Sequence, residues 1–366
     1  MAYSSPLLAH PGAAENQDPV ALDAAGVAWH YGNPLGEQRA VEGGSAIIDR
    51  SQRRVIRVAG PDAGVFLNNL LSQKLDAAAP GFTAGALNLD AQGHVLHAAD
   101  VAVTADAIYL DVPAASADSL LDYLQKMIFW SQVTVEEAPL AIVTVLGAPL
   151  PELADAAFTR TVTWPQDSEL GAPRRDVAVP RERLEQAVAE LESRGGTLAG
   201  LMAFTAERVR AREPELAADL DAKTIPHEVP QWIGRGQRPG AVHLEKGCYR
   251  GQETVARVEN LGRSPRMLVM LHLDGSAPQL PSPGAEITAG GRRVGRLGTV
   301  VHDCDYGPIA LALVKRSALA GAAELAIGDV TASVEPASLP AEEGPKAGRV
   351  AVERLRSGGH SPDVDK

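Results

Sequence analysis

Apolar and polar positions alternate over residues 53–59 (RRVIRVA), the period of a half-buried strand. The period then changes. Val65, Phe66, Leu67, Leu70 and Leu71 form a helical stripe behind Pro61, a residue tolerated at the first helical position. Alternation returns over 84–90 and 94–103, on either side of Ala91-Gln92-Gly93, and predicts a hairpin. A short strand over 108–112 follows. Ser116 offers an N-cap to a helix whose apolar face is Leu120, Leu121, Leu124, Met127 and Ile128. Strands are expected over 133–135, 141–146 and 177–179. A helix is expected over 181–194, with Leu184, Val188 and Leu191 inward and Gly195-Gly196 as its stop. That β-α-β-β…β-α order resembles a ferredoxin-like unit.

A further helix over 204–213 is closed by Pro214. Residues 221–250 carry Gly and Pro without period and read as a long irregular stretch, which inside a compact protein is functional or disordered. From Met267 the texture becomes short strands (267–273, 285–288, 292–301, 309–314, 330–335), the pattern of a small antiparallel barrel. The fold class expected is α+β. Residues 1–18 read as a flexible arm and 336–366 as a disordered tail, both on composition.

The 366 residues suffice for two or three domains, and 45% hydrophobic content with only 4% aromatic residues makes the core aliphatic. The start lacks the basic-then-apolar layout of a secretory signal, and no run of eighteen apolar residues exists. Two distant cysteines, Cys248 and Cys304, suit a reduced, cytoplasmic protein. A net charge of −12 argues against nucleic acid as a partner. Residues 231–270 run the other way: Arg235, Arg238, Lys246, Arg250, Arg257, Arg263 and Arg266 face three acids, a local +4 that suits an anionic small molecule.

Several chemistries lack their motifs. There is no C-x-x-C or H-E-x-x-H, and His94 and His97 fall on opposite faces of the expected strand, so no stable metal site is expected. Gly290, Gly291, Gly295 and Gly298 lack dinucleotide spacing and read as turn glycines. No G-x-S-x-G elbow appears. What stands out is Lys246-Gly247-Cys248-Tyr249-Arg250-Gly251-Gln252-Glu253. Two cations flank one sulfur, two glycines bracket it, and a helix is expected over 252–258 with Glu253 in its first turn and Arg257 toward its end. A thiol beside cations and a helix N-terminus ionises readily, and the thiolate is its reactive form. His227 and His243 are the candidate partners for thiol chemistry.

This octapeptide, with Thr254 to Arg257 after it and Thr224 to Val229 before it, resembles the signature of the YgfZ family, the folate-binding relatives of the glycine-cleavage T-protein, in its actinobacterial branch. Weaker matches lie at 60–67 and 87–93. The resemblance spans about residues 45–335. It implies three domains around a channel: residues 19–105 with 200–262 as a folate-binding α+β domain, 106–199 as a ferredoxin-like middle domain, and 263–335 as the barrel. It implies tetrahydrofolate as cofactor, iron–sulfur clients or carriers as partners, and a role in the assembly or repair of their clusters.

Cys248 would face the channel, with Lys246 and Arg250 lowering its pKa or holding a folate carboxylate. Gln252 and Glu253 would fix the loop, Arg257 would reach the ligand's glutamate, and Tyr249, His97 and Phe204 would complete the contact set. Two departures stand against aminomethyl transfer. Leu96 and His97 occupy the places of the family's two acids, and Arg210 stands for the acid that often contacts the pterin. A folate-dependent aminomethyl- or methyltransferase and a folate-independent thiol redox or scaffold protein are the alternatives.

Overall fold

The computed structural model describes residues 3–18, 22–162, 172–236, 239–320 and 324–339. Arg238 and most of the expected tail, from residue 340, lie outside the described residues. The chain opens on α1 (Pro34–Gly43), started by an Asn33 side chain that accepts the Gly36 N–H at 3.1 Å and by Pro34 in the first turn. It continues through β1 (Ser45–Asp49), β2 (Arg54–Ala59), α2 (Ala63–Leu70), β3 (Thr83–Leu89), β4 (Val95–Val103), β5 (Ala107–Val112), α3 (Ala114–Lys126), β6 (Thr134–Ala138) and β7 (Leu140–Gly147). Then come β8 (Phe158–Val162), β9 (Arg174–Pro180), α4 (Leu184–Ser193), β10 (Thr197–Ala199), α5 (Leu201–Arg210), α6 (Leu216–Asp219) and α7 (Gln252–Leu261). The end is β11 (Arg266–Leu273), β12 (Glu286–Ala289), β13 (Arg292–Asp303), β14 (Gly307–Lys315), α8 (Arg316–Leu319), β15 (Leu325–Ile327) and β16 (Val330–Val334).

Two five-stranded sheets result, in the orders β3-β4-β5-β2-β6 and β10-β1-β7-β9-β8. The last six strands close an antiparallel barrel, β11 pairing with both β14 and β16. The elements of the expected ferredoxin-like unit are shared between the two sheets. The cut expected at 105/106 falls between β4 and β5, which pair from Asp100 with Asp111 to Val103 with Ile108. α2 and α3 cover the outer face of the first sheet through Phe66, Leu67, Leu120 and Leu124. α4 covers the second through Leu184, Val188 and Leu191.

The inner faces of the two sheets meet. The alternation of each strand decides what lies there, since side chains two apart share a face. At one end the layer is apolar: Tyr109, Ile142, Phe158 and Ala178. Two residues along each strand it becomes polar: Asp111, Thr144, Arg160 and Asp176, with Arg50, Arg53 and Arg174 among them. All seven are buried. Three of the acids, Asp100, Asp111 and Asp176, bring carboxylate oxygens within 4.8 Å of one another, and guanidinium groups take the place a cation would.

The first residues depart from the flexible arm expected. Leu7 is buried in the second sheet's core, the Ser5 hydroxyl donates to Asp49, and the Tyr3 hydroxyl donates to Ser51 at 2.6 Å. Composition marked a segment rich in Pro and Gly, but those residues turn the chain so that its few anchors dock. At the other end, residues 336–339 are ordered too, with the Ser338 hydroxyl oxygen accepting the Met270 N–H. α3 begins at Ala114, two residues before the expected cap at Ser116, because Asp23 reaches across to accept the Ala114 N–H at 3.0 Å.

Candidate functional site

The polar end of the inter-sheet layer opens into a cleft. β3 and β4 form one wall. Their paired residues Gly85 with Asp100 and Leu87 with Ala98 share the face turned to it. Leu216, Trp232 and Ala241 close the other side, and Arg53, Asp100, Arg160 and Glu215 make a charged end. The cleft thus joins apolar walls to charged residues, as ligand sites commonly do. A second cavity of about 1030 Å³ adjoins it, sharing Pro113, Glu215 and Leu216 and lined also by Asp23, Leu96 and Thr224.

Arg160 is the informative residue. Its Nη2 donates to Asp111 at 2.9 Å and to Asp176, yet its Nε and Nη1 are buried with no hydrogen-bond partner among the described residues. A buried donor left unpaired costs about 1–3 kcal/mol, which marks this end of the cleft as polar and incompletely paired.

The octapeptide lines neither cavity. It docks beside them, on the β3–β4 hairpin and the end of α2. Gly251 has φ +83, and a Cβ there would meet the Asp90 carbonyl oxygen at 2.7 Å and the Gly93 Cα at 2.9 Å. Gly251→Ala is therefore expected to cost about 1–3 kcal/mol. Urea unfolding should show it as a lower midpoint at constant slope. Gly247→Ala, where a Cβ would meet nothing within 4 Å, should stay near wild type.

Both cations of the motif bind backbone carbonyls. Lys246 Nζ donates to the carbonyls of Asn68 and, at 2.6 Å, Leu71, the C-terminal end of α2. It also lies 4.5 Å from the Tyr249 ring centroid. Burial pushes its pKa down to about 8 and that of Tyr249 up to about 12. Arg250 Nε donates to the Leu89 carbonyl, Arg250 Nη2 reaches Asn88 Oδ1 at 3.5 Å, and its guanidinium sits over the Tyr123 ring. Gln252 Oε1 accepts the Tyr249 N–H at 3.3 Å, fixing the loop as expected of it. Glu253 and Arg257 are exposed on α7.

Cys248 is an exposed free thiol, presented outward. Cys304 is also free, and burial with Asp303 and Asp305 pushes its thiol up to about 11.

Two expected ligand contacts, Phe204 and His97, lie elsewhere, as does Arg210, which stands in place of the family's acid. Phe204 is buried in the core, with Arg50 4.0 Å and Arg174 4.9 Å from its ring centroid, so no ligand reaches it. His97 bonds Asn88 Oδ1 at 3.1 Å and Ser119 Oγ at 2.8 Å, and burial followed by the Arg250 charge pushes it down to about 4. Arg210 is held by Asp303 at 2.6 Å and by Asp305, away from the cleft. The basic segment is spent largely in place: Arg266 binds Asp221 and Glu228, and Arg235 binds Glu259 at 2.8 Å. His227 bonds Glu259 rather than a sulfur.

Comparison with known proteins supplies context for this geometry. Residues 266–341 match the model of the CAF17 C-terminal beta-barrel domain. The chain is 25% identical over 297 residues to "Putative transferase At1g60990, chloroplastic" of Arabidopsis thaliana, covering 74% of this chain and 65% of that protein, just under two thirds of its length. It is 27% identical to "Iron-sulfur cluster assembly factor IBA57, mitochondrial" of Homo sapiens over 79% of this chain and 78% of that protein. With "tRNA-modifying protein YgfZ" of Colwellia psychrerythraea it shares 24% identity, covering 62% and 71%. Among solved structures, glycine cleavage system aminomethyltransferase T from Bartonella henselae superposes with a TM-score of 0.73 at 19% identity, over 90% of this chain and 94% of that one. The chain therefore has homologues of the YgfZ and IBA57 type, an aminomethyltransferase-T-like fold and a CAF17-type terminal barrel.

Proposed function

We infer that this chain, a homologue of YgfZ- and IBA57-type proteins, is a folate-binding accessory factor for iron–sulfur cluster assembly in client enzymes. The observation that carries the reading is the cleft between the sheets. Its lining joins an apolar wall (Leu87, Ala98, Trp232) to charged residues (Arg53, Asp100, Arg160, Glu215), a combination that suits a polar heterocycle. Arg160, Leu87, Ala98 and Trp232 would be among the residues that hold tetrahydrofolate there. When bound, it supplies a reduced, one-carbon-carrying nitrogen. Asp100 and Glu215 offer acceptors for N–H groups of the ligand.

Aminomethyl transfer is the weaker reading, since Leu96 puts an apolar side chain in the second cavity and His97 is tied to Asn88 and Ser119. Two free thiols suit the reducing cytoplasm, and among the described residues no helix is long and apolar enough to cross a membrane.

Filling the cleft tests the reading. Ala98→Phe puts a ring on its apolar wall. Calorimetric titration with 5-formyltetrahydrofolate should then show affinity falling by about tenfold or more, a loss of about 1.4 kcal/mol or above. Circular dichroism should stay unchanged. Equal affinity in the variant would place the ligand outside the cleft.

A further inference from the structure

Asp23 stands on the wall of the second cavity, and its position is unusual in three ways. Its backbone is left-handed, φ +50, a region that few side chains other than Asn and Asp enter. One carboxyl oxygen, Oδ1, accepts the Ala114 N–H at the head of α3. The other, Oδ2, is buried with no hydrogen-bond partner among the described residues, on a side chain only 9% exposed. The nearest cation is Arg53 Nη1 at 3.7 Å, outside hydrogen-bond reach. Arg53 is committed elsewhere: its Nε donates to Asp111 at 2.5 Å and its Nη2 to the Asp111 carbonyl. Glu215, which lines both cavities, places Oε1 3.9 Å from the same Arg53 Nη1. Two acids therefore share one guanidinium nitrogen, at 3.7 and 3.9 Å, at the seam between the cavities.

We infer that Asp23 is a ligand-binding residue whose free Oδ2 accepts an N–H donor of a heterocycle seated across the two cavities, with Glu215 as its partner acid. This rests on the folate reading above and deepens it by naming the group that meets the ring's amide or amidine edge. An unpaired buried oxygen persists at a site when the missing partner comes with the ligand.

Proton exchange follows from the surroundings. Arg53, Arg50, Arg208, Asp111 and Asp100 are the other charged groups around the pair. Burial raises both acids, and Asp23's charge adds to the rise of Glu215, which is pushed up to about 7. An N–H donor favours the ionised acid, so binding releases a proton and weakens as pH falls below that value.

The test uses the full chain with 5-formyltetrahydrofolate, whose own groups do not titrate between pH 6 and 8. Wild type should bind about tenfold more weakly at pH 6 than at pH 8, as one linked proton requires. Asp23→Asn should lose about tenfold in affinity at pH 8, the value of one charge-assisted hydrogen bond. Its unliganded melting point should be equal or higher, because the amide keeps Oδ1 on Ala114 and drops an unpaired charge. Glu215→Gln should flatten the pH profile. If wild type binds and Asp23→Asn binds equally well, or melts lower with unchanged affinity, Asp23 is structural and the inference fails while the folate reading stands. If wild type takes up no folate at either pH, both fail.

Discussion

Asp176→Ala should cost about 3–5 kcal/mol, the range found when one partner is removed from a buried ion pair. That is a large part of the 5–15 kcal/mol typical of a folded domain, so the variant should be at or near its unfolding threshold at room temperature. Asp176 is fully buried between the sheets. It binds Arg174 at 2.7 Å and Arg160, lies 3.6 Å from Arg50, and accepts the Thr144 hydroxyl at 2.6 Å. Burial alone would raise its pKa, but Arg174, Arg160 and Arg50 reverse this and hold the carboxyl well below its usual range. An acid so depressed stabilises the fold above its unfolded-state pKa and loses that contribution only as pH falls through the folded value. Stability from this residue should therefore be level across neutral pH and collapse only in strong acid. Alanine would leave three guanidinium groups facing a void. Urea unfolding of Asp176→Ala decides the matter, since a loss under about 1 kcal/mol would mean that the arginines find other partners. Asp176→Asn should fall between, because it keeps an acceptor for Thr144 while losing the charge.

That network was invisible in the sequence for a simple reason. Arg160 and Asp176 sit at the inward positions of short strands, where alternation predicts apolar residues. A reading by pattern scores them as breaks in a strand rather than as a buried polar layer. Most elements were legible because their periods are long and clean: the α2 stripe, the β3–β4 hairpin around Gly93, α4, and the barrel after Met267. The octapeptide was legible as a motif, and its helix runs from Gln252 to Leu261 as its polar start suggests. The work of its side chains was not legible, because their partners are distant in sequence. Lys246 looks like a cation placed beside a sulfur until the carbonyls of Asn68 and Leu71 are found at its Nζ. Asp23, Arg53, Asp100, Arg160 and Glu215 come from five separate segments, and only the packing of one sheet on the other makes them neighbours.

Separation of thiol and cleft leads to the second large effect. If Cys248 served the bound ligand, losing its sulfur would disturb binding. The thiol instead sits exposed on a loop that Lys246, Arg250 and Gly251 pin to α2 and to the β3–β4 hairpin. A firmly held, outward-facing sulfur suits a partner protein, to whose cluster it would offer a soft ligand. Cys248→Ser replaces it with a hydroxyl of similar size that ionises far less readily. In cells carrying only this variant, client iron–sulfur enzyme activity should drop severalfold, toward that of cells without the protein. The purified variant should bind 5-formyltetrahydrofolate within about twofold of wild type. That pairing separates two roles in one chain, a ligand held between sheets and a thiol shown to partners. A parallel loss of affinity and activity would instead join the sulfur to the cleft. Full client activity in Cys248→Ser would leave the thiol no part in the work, and the function would then rest on the cleft alone.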